Sequence, residues 1–136
     1  MFKRVLVLVK ATKGSERAIE VACDLASQLD GTVHLIAVDF EGDEDKPRPE
    51  MLEKAANTCR SKGINATYSM HRARSKEDVA VTIASISADY DIIVMGHCRY
   101  KKIYKFLHYS LAEDLITLVA CPVVVAAIDC PEKQVI

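Results

Sequence analysis

The residues best equipped for chemistry lie in "MGHCRYKKIYKFLHYS", residues 95–110. No acid occurs between Asp91 and Glu113, while that span carries His97, Arg99, Lys101, Lys102, Lys105 and His108. Cations at this density can hold a phosphate or another anion through charge-assisted hydrogen bonds. A helix starting near Ser110 would add partial positive charge from its N-terminus. Opposing them is an acidic run, Asp39, Glu41, Asp43, Glu44 and Asp45. Two readings follow from these residue types. In one, the cations bind an anionic small molecule. In the other, the acidic run neutralises them, the remainder face water at little cost, and the chain is a ligand-free interaction module.

Other chemistries find less support. There is no G-x-S-x-G elbow and no P-loop, and adjacent residues such as His97 and Cys98 rarely face each other as a catalytic pair. We expect no enzyme in the conventional sense. The stretch "DFEGDED" has oxygen ligands but not the order of a calcium loop. His34, His71, His97 and His108 do not pair with cysteines at zinc spacing, so no metal is expected. The five cysteines are scattered, odd in number and without a C-x-x-C pair, which argues against a disulfide framework. Cys23 reads as a buried thiol. Cys98 reads as an ordinary loop cysteine, a thiolate favoured by the surrounding cations being the alternative. A net charge of −1 gives no field to recruit nucleic acid. Ile103, Tyr104, Phe106 and Leu107 read as an amphipathic segment folding onto the body, with a partner or membrane-surface contact as the alternative.

The elements that must position these residues come from hydrophobic periodicity. With 136 residues the chain fits one domain, residues 1–136. "KRVLVLVK" is a short, continuously apolar run, as in a buried strand. In "TKGSERAIEVACDLASQLDG" the period changes: Ala18, Val21, Ala22, Leu25 and Leu29 recur at helical spacing, with Gly31 closing. "TVHLIAVDF" is a second strand, and "PEMLEKAANTCRSKG" a helix between Pro49 and Gly63. "INATYSMH" alternates like an edge strand. "SKEDVAVTIASISA" and "SLAEDLITLVA" are helices opening on the capping boxes Ser75-x-x-Asp78 and Ser110-x-x-Glu113. "DIIVMG" and "CPVVVAAI" are the last two strands, and residues 39–49 are an exposed loop.

Strand and helix alternating at this spacing predict an α/β fold, a doubly wound parallel sheet with helices on both faces. If the first and fourth strands are neighbours, winding reverses between them, and ligands bind at that switch point beyond the carboxyl ends of the strands. Lys10, Ala11 and Thr12 would then face Gly96 and His97, with His71, Arg72 and Arg74 on the same rim. The longest apolar runs are too short to span a bilayer, and no cleavable leader follows "MFKRVLVLVK". The expected location is cytoplasmic.

"MG" after the fourth strand, "S-x-A-E-x-L", "CPVVV" and "GSERAIEVACDLA" together resemble the universal stress protein family over nearly the whole chain. The resemblance implies a five-stranded, Rossmann-like sheet in the order 3-2-1-4-5 and a homodimer through the last strand, at Pro122, Val123, Val124 and Val125. It also implies a nucleotide cofactor, ATP, held by G-x2-G-x9-G-[ST]. Laid on this chain, that pattern begins at Gly96, replaces its second and third glycines by Arg99 and Tyr109, and ends on Ser110. The acid that would contact adenine falls on Lys10, and the valine beside adenine on Val38. Side chains at the glycine positions would fill the space through which backbone N–H groups approach phosphate. The expectation is a stress-linked regulatory module with nucleotide binding altered or lost. The alternative is a protein that binds ATP or another anionic ligand. The apolar last strand supports a dimer by itself, because an apolar edge must be covered.

Overall fold

The computed structural model describes residues 2–99 and 111–129, with backbone alone at Cys98 and Arg99. Its elements in chain order are β1 (Arg4–Leu8), α1 (Lys13–Leu29), β2 (Thr32–Asp39), α2 (Pro49–Ser61), β3 (Ala66–Arg72), a 3-10 turn (Lys76–Asp78), α3 (Val79–Ser87), β4 (Ile92–Arg99), α4 (Leu111–Leu118) and β5 (Val123–Asp129). The strands form one sheet in the order β3-β2-β1-β4-β5, and every pair is parallel. The expected doubly wound fold and strand order are therefore present.

Strand alternation sorts the core into two layers. Val5, Val7, Val33, Leu35 and Val94 face α1 and α2, where Ala18, Ala22, Ala26, Leu52 and Ala56 are buried. Leu6, Leu8, Ile36, Ile93 and Met95 face α3 and α4, against Ala80, Ile83 and Leu115. Successive residues of one strand thus serve opposite layers, which is why the central strands read as unbroken apolar runs. No described helix is long and apolar enough to cross a membrane.

The helix termini follow local signals only in part. Thr12 caps α1 by accepting from the Ser15 backbone N–H at 3.2 Å. Pro49 occupies the first turn of α2. The Ser75–Asp78 capping box does not form: Ser75 makes no side-chain cap bond and starts a 3-10 turn, while Arg74 takes the Asp78 carboxylate at 2.8 Å. At the end of α1 it is Asp30, not Gly31, that turns left-handed, at φ 54°. Gly31 is needed for a different reason. A Cβ there would lie 2.2 Å from the Lys3 carbonyl oxygen, where the chain enters β2 beside the start of β1.

Two further features depart from the sequence reading. Cys23 on α1 and Cys59 on α2 are both buried and joined as a disulfide across 36 positions. The scattered cysteines had argued against any such bond. No local spacing encodes it, because the two thiols meet only once both helices pack on the same face. The other concerns β4, expected to end at Gly96. It runs on to Arg99, pairing His97 with Ala127, Cys98 with Ile128 and Arg99 with Asp129.

These two features generate two predictions. Closing a ring of this length constrains the unfolded chain by about 3–4 kcal/mol in the chain-entropy description. Reduction, or Cys59→Ala, is expected to lower the melting temperature, read by circular dichroism with and without a thiol reductant. A Cβ at residue 96 would sit 2.0 Å from the Gly14 carbonyl oxygen. Gly96→Ala is therefore expected to destabilise by about 2 kcal/mol or more, measured by denaturant unfolding of the chain without ligand.

Candidate functional site

The sheet reverses its winding between β1 and β4, and the carboxyl ends of β1, β2, β3 and β4 converge on one rim. Lys10 lies just past β1. Its backbone N–H donates to Ser15 Oγ at 2.7 Å, and Ser15 itself is buried in the first turn of α1. This bond turns the chain from strand into helix and aims the Lys10 side chain across the end of β2. There Lys10 Nζ donates to the Val38 carbonyl oxygen at 3.2 Å and to the Asp43 carboxylate. It also stands 5.5 Å from the centre of the Phe40 ring, a cation–π arrangement.

The acidic loop after β2 is folded inward. The Ala11 backbone N–H donates to the Asp45 carbonyl oxygen at 2.9 Å, and the Asp43 N–H to the Phe40 carbonyl at 3.1 Å. Asp43 Oδ1 accepts from the Asp45 N–H at 3.0 Å. Its side chain is only 5% exposed against 27% for Lys10, so the carboxylate is largely withdrawn from water and matched by the ammonium. A carboxylate held this way occupies the position beside Lys10 that an anionic ligand would need.

Three further described cations, Lys46, Arg72 and Arg74, have acidic partners. Asp39, a buried acid, lies 3.6 Å from Lys46 and 3.9 Å from Arg72. Arg74 pairs with Asp78. Lys46, Arg72 and Arg74 are each more than half exposed, so these pairs add little stability, but they show how the acidic run is distributed. His71 turns back along β3 instead, its Nε2 2.8 Å from Ser69 Oγ.

The structure brings together some of the sequence-derived site residues. Lys10 and Val38 touch. Gly96 lies at the same rim, but its lack of a side chain is already required by the Gly14 carbonyl. Arg99 falls in the extended backbone of β4. Tyr109 and Ser110, with the rest of the basic stretch 100–108, lie outside the described residues. Asp43 and Ser15 were not singled out from sequence as contacts of Lys10. Asp43 was visible only as one of five acids, and Ser15 only as an early helix residue. Among the described residues no three metal-ligating side chains cluster.

Comparison with known proteins agrees with the fold. A universal stress protein from Burkholderia pseudomallei matches with a TM-score of 0.68 and 20% identity, covering 91% of this chain and 95% of that one. One from Archaeoglobus fulgidus in complex with dAMP gives 0.60 and 18%, over 92% and 98%. An Arabidopsis thaliana family protein with AMP bound gives 0.66 and 17%, over 92% and 91%. At these identities the likeness is one of fold. There is no match among curated protein sequences. The family model for the universal stress protein family matches residues 1–127; the chain belongs to the universal stress protein family.

Proposed function

We propose that this single-domain protein is a dimeric, cytoplasmic regulatory or interaction module in which family-type nucleotide binding is lost or altered. It is not an enzyme on this reading. The observation that carries the proposal is the Lys10–Asp43 pair. Where the resemblance expects an acid toward adenine, the chain has a cation, and that cation is already held by the Val38 carbonyl and the Asp43 carboxylate. A ligand would have to displace a withdrawn carboxylate and undo the loop anchored by Asp45 on Ala11. The Cβ clash at Gly96 and the strand conformation of Arg99 further weaken the case for a glycine-type phosphate loop.

A second reading keeps a ligand. The Archaeoglobus and Arabidopsis proteins were solved with dAMP and AMP, and Lys10 is a ready partner for an anion if Asp43 yields. The two readings separate in a thermal-shift panel of nucleotides and inorganic phosphate. On the first, the wild-type melting curve stays unmoved. Asp43→Asn keeps an acceptor for the Asp45 N–H while removing the charge, so it is expected to gain an anion-dependent rise in melting temperature. Lys10→Ala added to it should abolish that rise. A wild-type shift with AMP or ATP would instead establish the second reading.

The dimer is proposed through β5. Among the described residues this strand pairs only with β4, so one side is a sheet edge there, and Val125 is 39% exposed. A second β5 across a two-fold axis would cover both. Sedimentation at micromolar concentration is expected to show a dimer, and Val125→Lys to shift it toward monomer. A wild-type monomer under those conditions sinks this part of the proposal.

A further inference from the structure

On the face of the sheet away from α2, the side chains of His34, Ser69 and His71 form a continuous chain. His34 Nε2 is 2.8 Å from Ser69 Oγ, and Ser69 Oγ is 2.8 Å from His71 Nε2. At the other side of its ring, His34 Nδ1 is 2.6 Å from Thr67 Oγ1. The parallel register sets Thr67 opposite His34 and His71 opposite Val38. The two imidazoles therefore approach Ser69 from opposite directions along the strands. Among the described residues strand β3 is a sheet edge and pairs only with β2, so this side-chain chain joins an edge strand to its neighbour.

A hydroxyl carries one hydrogen and can accept two. With both rings neutral, one ring donates N–H to Ser69 and Ser69 donates O–H to the other ring. A first added proton goes onto Nδ1 of the ring that already donates to Ser69 and leaves both bonds to Ser69 intact. A second proton makes both Nε2 atoms donors. Ser69 must then turn its own hydrogen away, and two cations face one hydroxyl across the β2–β3 seam. We propose that His34, Ser69 and His71 form an acid-responsive latch on strand β3: whole when the pair carries at most one extra proton, loosened when it carries two.

Around His34 the partners give a charge little relief. Both partners of the His34 ring are hydroxyls, and Tyr90, from the turn after α3, stacks on it at 5.7 Å. The charges acting on Tyr90 are Asp89 and Arg4, one of each sign. Burial, and then the neighbouring His71, hold His34 below the ordinary imidazole value. The unfolded chain thus binds that proton more tightly than the folded chain. This contribution to stability is complete above about pH 6.5 and is lost as pH falls through the lower folded value. Asp91, held below the usual carboxylate range by the Arg4 and Lys3 N–H groups, stays ionised through that window.

Hydrogen exchange on the intact chain tests the latch. Protection of the peptide covering 66–72 is compared at about pH 7 and about pH 5, corrected for intrinsic exchange. The expected result is a selective loss of roughly tenfold at β3, while β1 and β4 hold. His71→Gln can still pair with Ser69 but never charges, so it is expected to retain β3 protection in acid. Equal loss across all strands, or the same β3 loss in His71→Gln, overturns the proposal. Proton NMR of the wild-type rings gives a reading that does not depend on the variant folding. Two separated titration steps support the latch; both rings titrating together at the ordinary imidazole value overturn it.

Discussion

At Gly96 the backbone of β4 lies so close to the Gly14 carbonyl, at the start of α1, that no side chain fits between them. That approach fixes how the central strands meet the helix which follows β1. It sets where Lys10 emerges, because the turn from β1 into α1 is held by the Lys10 N–H on Ser15. It also gives Gly96 a packing role that does not depend on phosphate. A glycine that looks like the first member of a nucleotide loop is here required by the body of the fold.

From this junction the rim follows by simple electrostatics. Lys10, placed over the end of β2, needs acceptors. It finds a strand-end carbonyl at Val38 and a carboxylate delivered by the loop 40–45. The loop can deliver it because its backbone is tied to Ala11 and to itself. Asp39 meanwhile serves Lys46 and Arg72. Two acids of the run, Asp39 and Asp43, thus meet Lys46, Arg72 and Lys10 within the chain. The relatives solved with AMP and dAMP share the sheet and its switch point, but a shared fold does not carry the chemistry of a site.

Much of the architecture was legible in local sequence. Runs such as "VLVLV" and "DIIVMG" gave buried strands, and Ala18, Ala22 and Leu25 gave the buried side of a helix. Their order then implied the parallel sheet and the reversal at β1 and β4. The site was less legible. The cations of the rim were visible, and the acidic loop was named as their counterweight, but nothing local said that Asp43 would be the one to meet Lys10. The mismatch at Arg99 was read as a glycine replaced in a loop. In the fold it is a strand residue, because pairing with β5 extends β4 past the apolar run that marked it.

The sequence by itself determined the elements, their two-layer burial and the place where a ligand site would lie. These depend on periodicities a few residues long, which burial imposes wherever a strand or helix packs on a sheet. Only the tertiary structure decided which groups meet: Lys10 with Asp43, Cys23 with Cys59, His34 with His71 through Ser69, and Gly96 with Gly14. Each pair is brought together by strand register or by helices sharing a face, across separations that no local pattern records. The chemistry of this chain lies in those pairs, and they exist only once the sheet has formed.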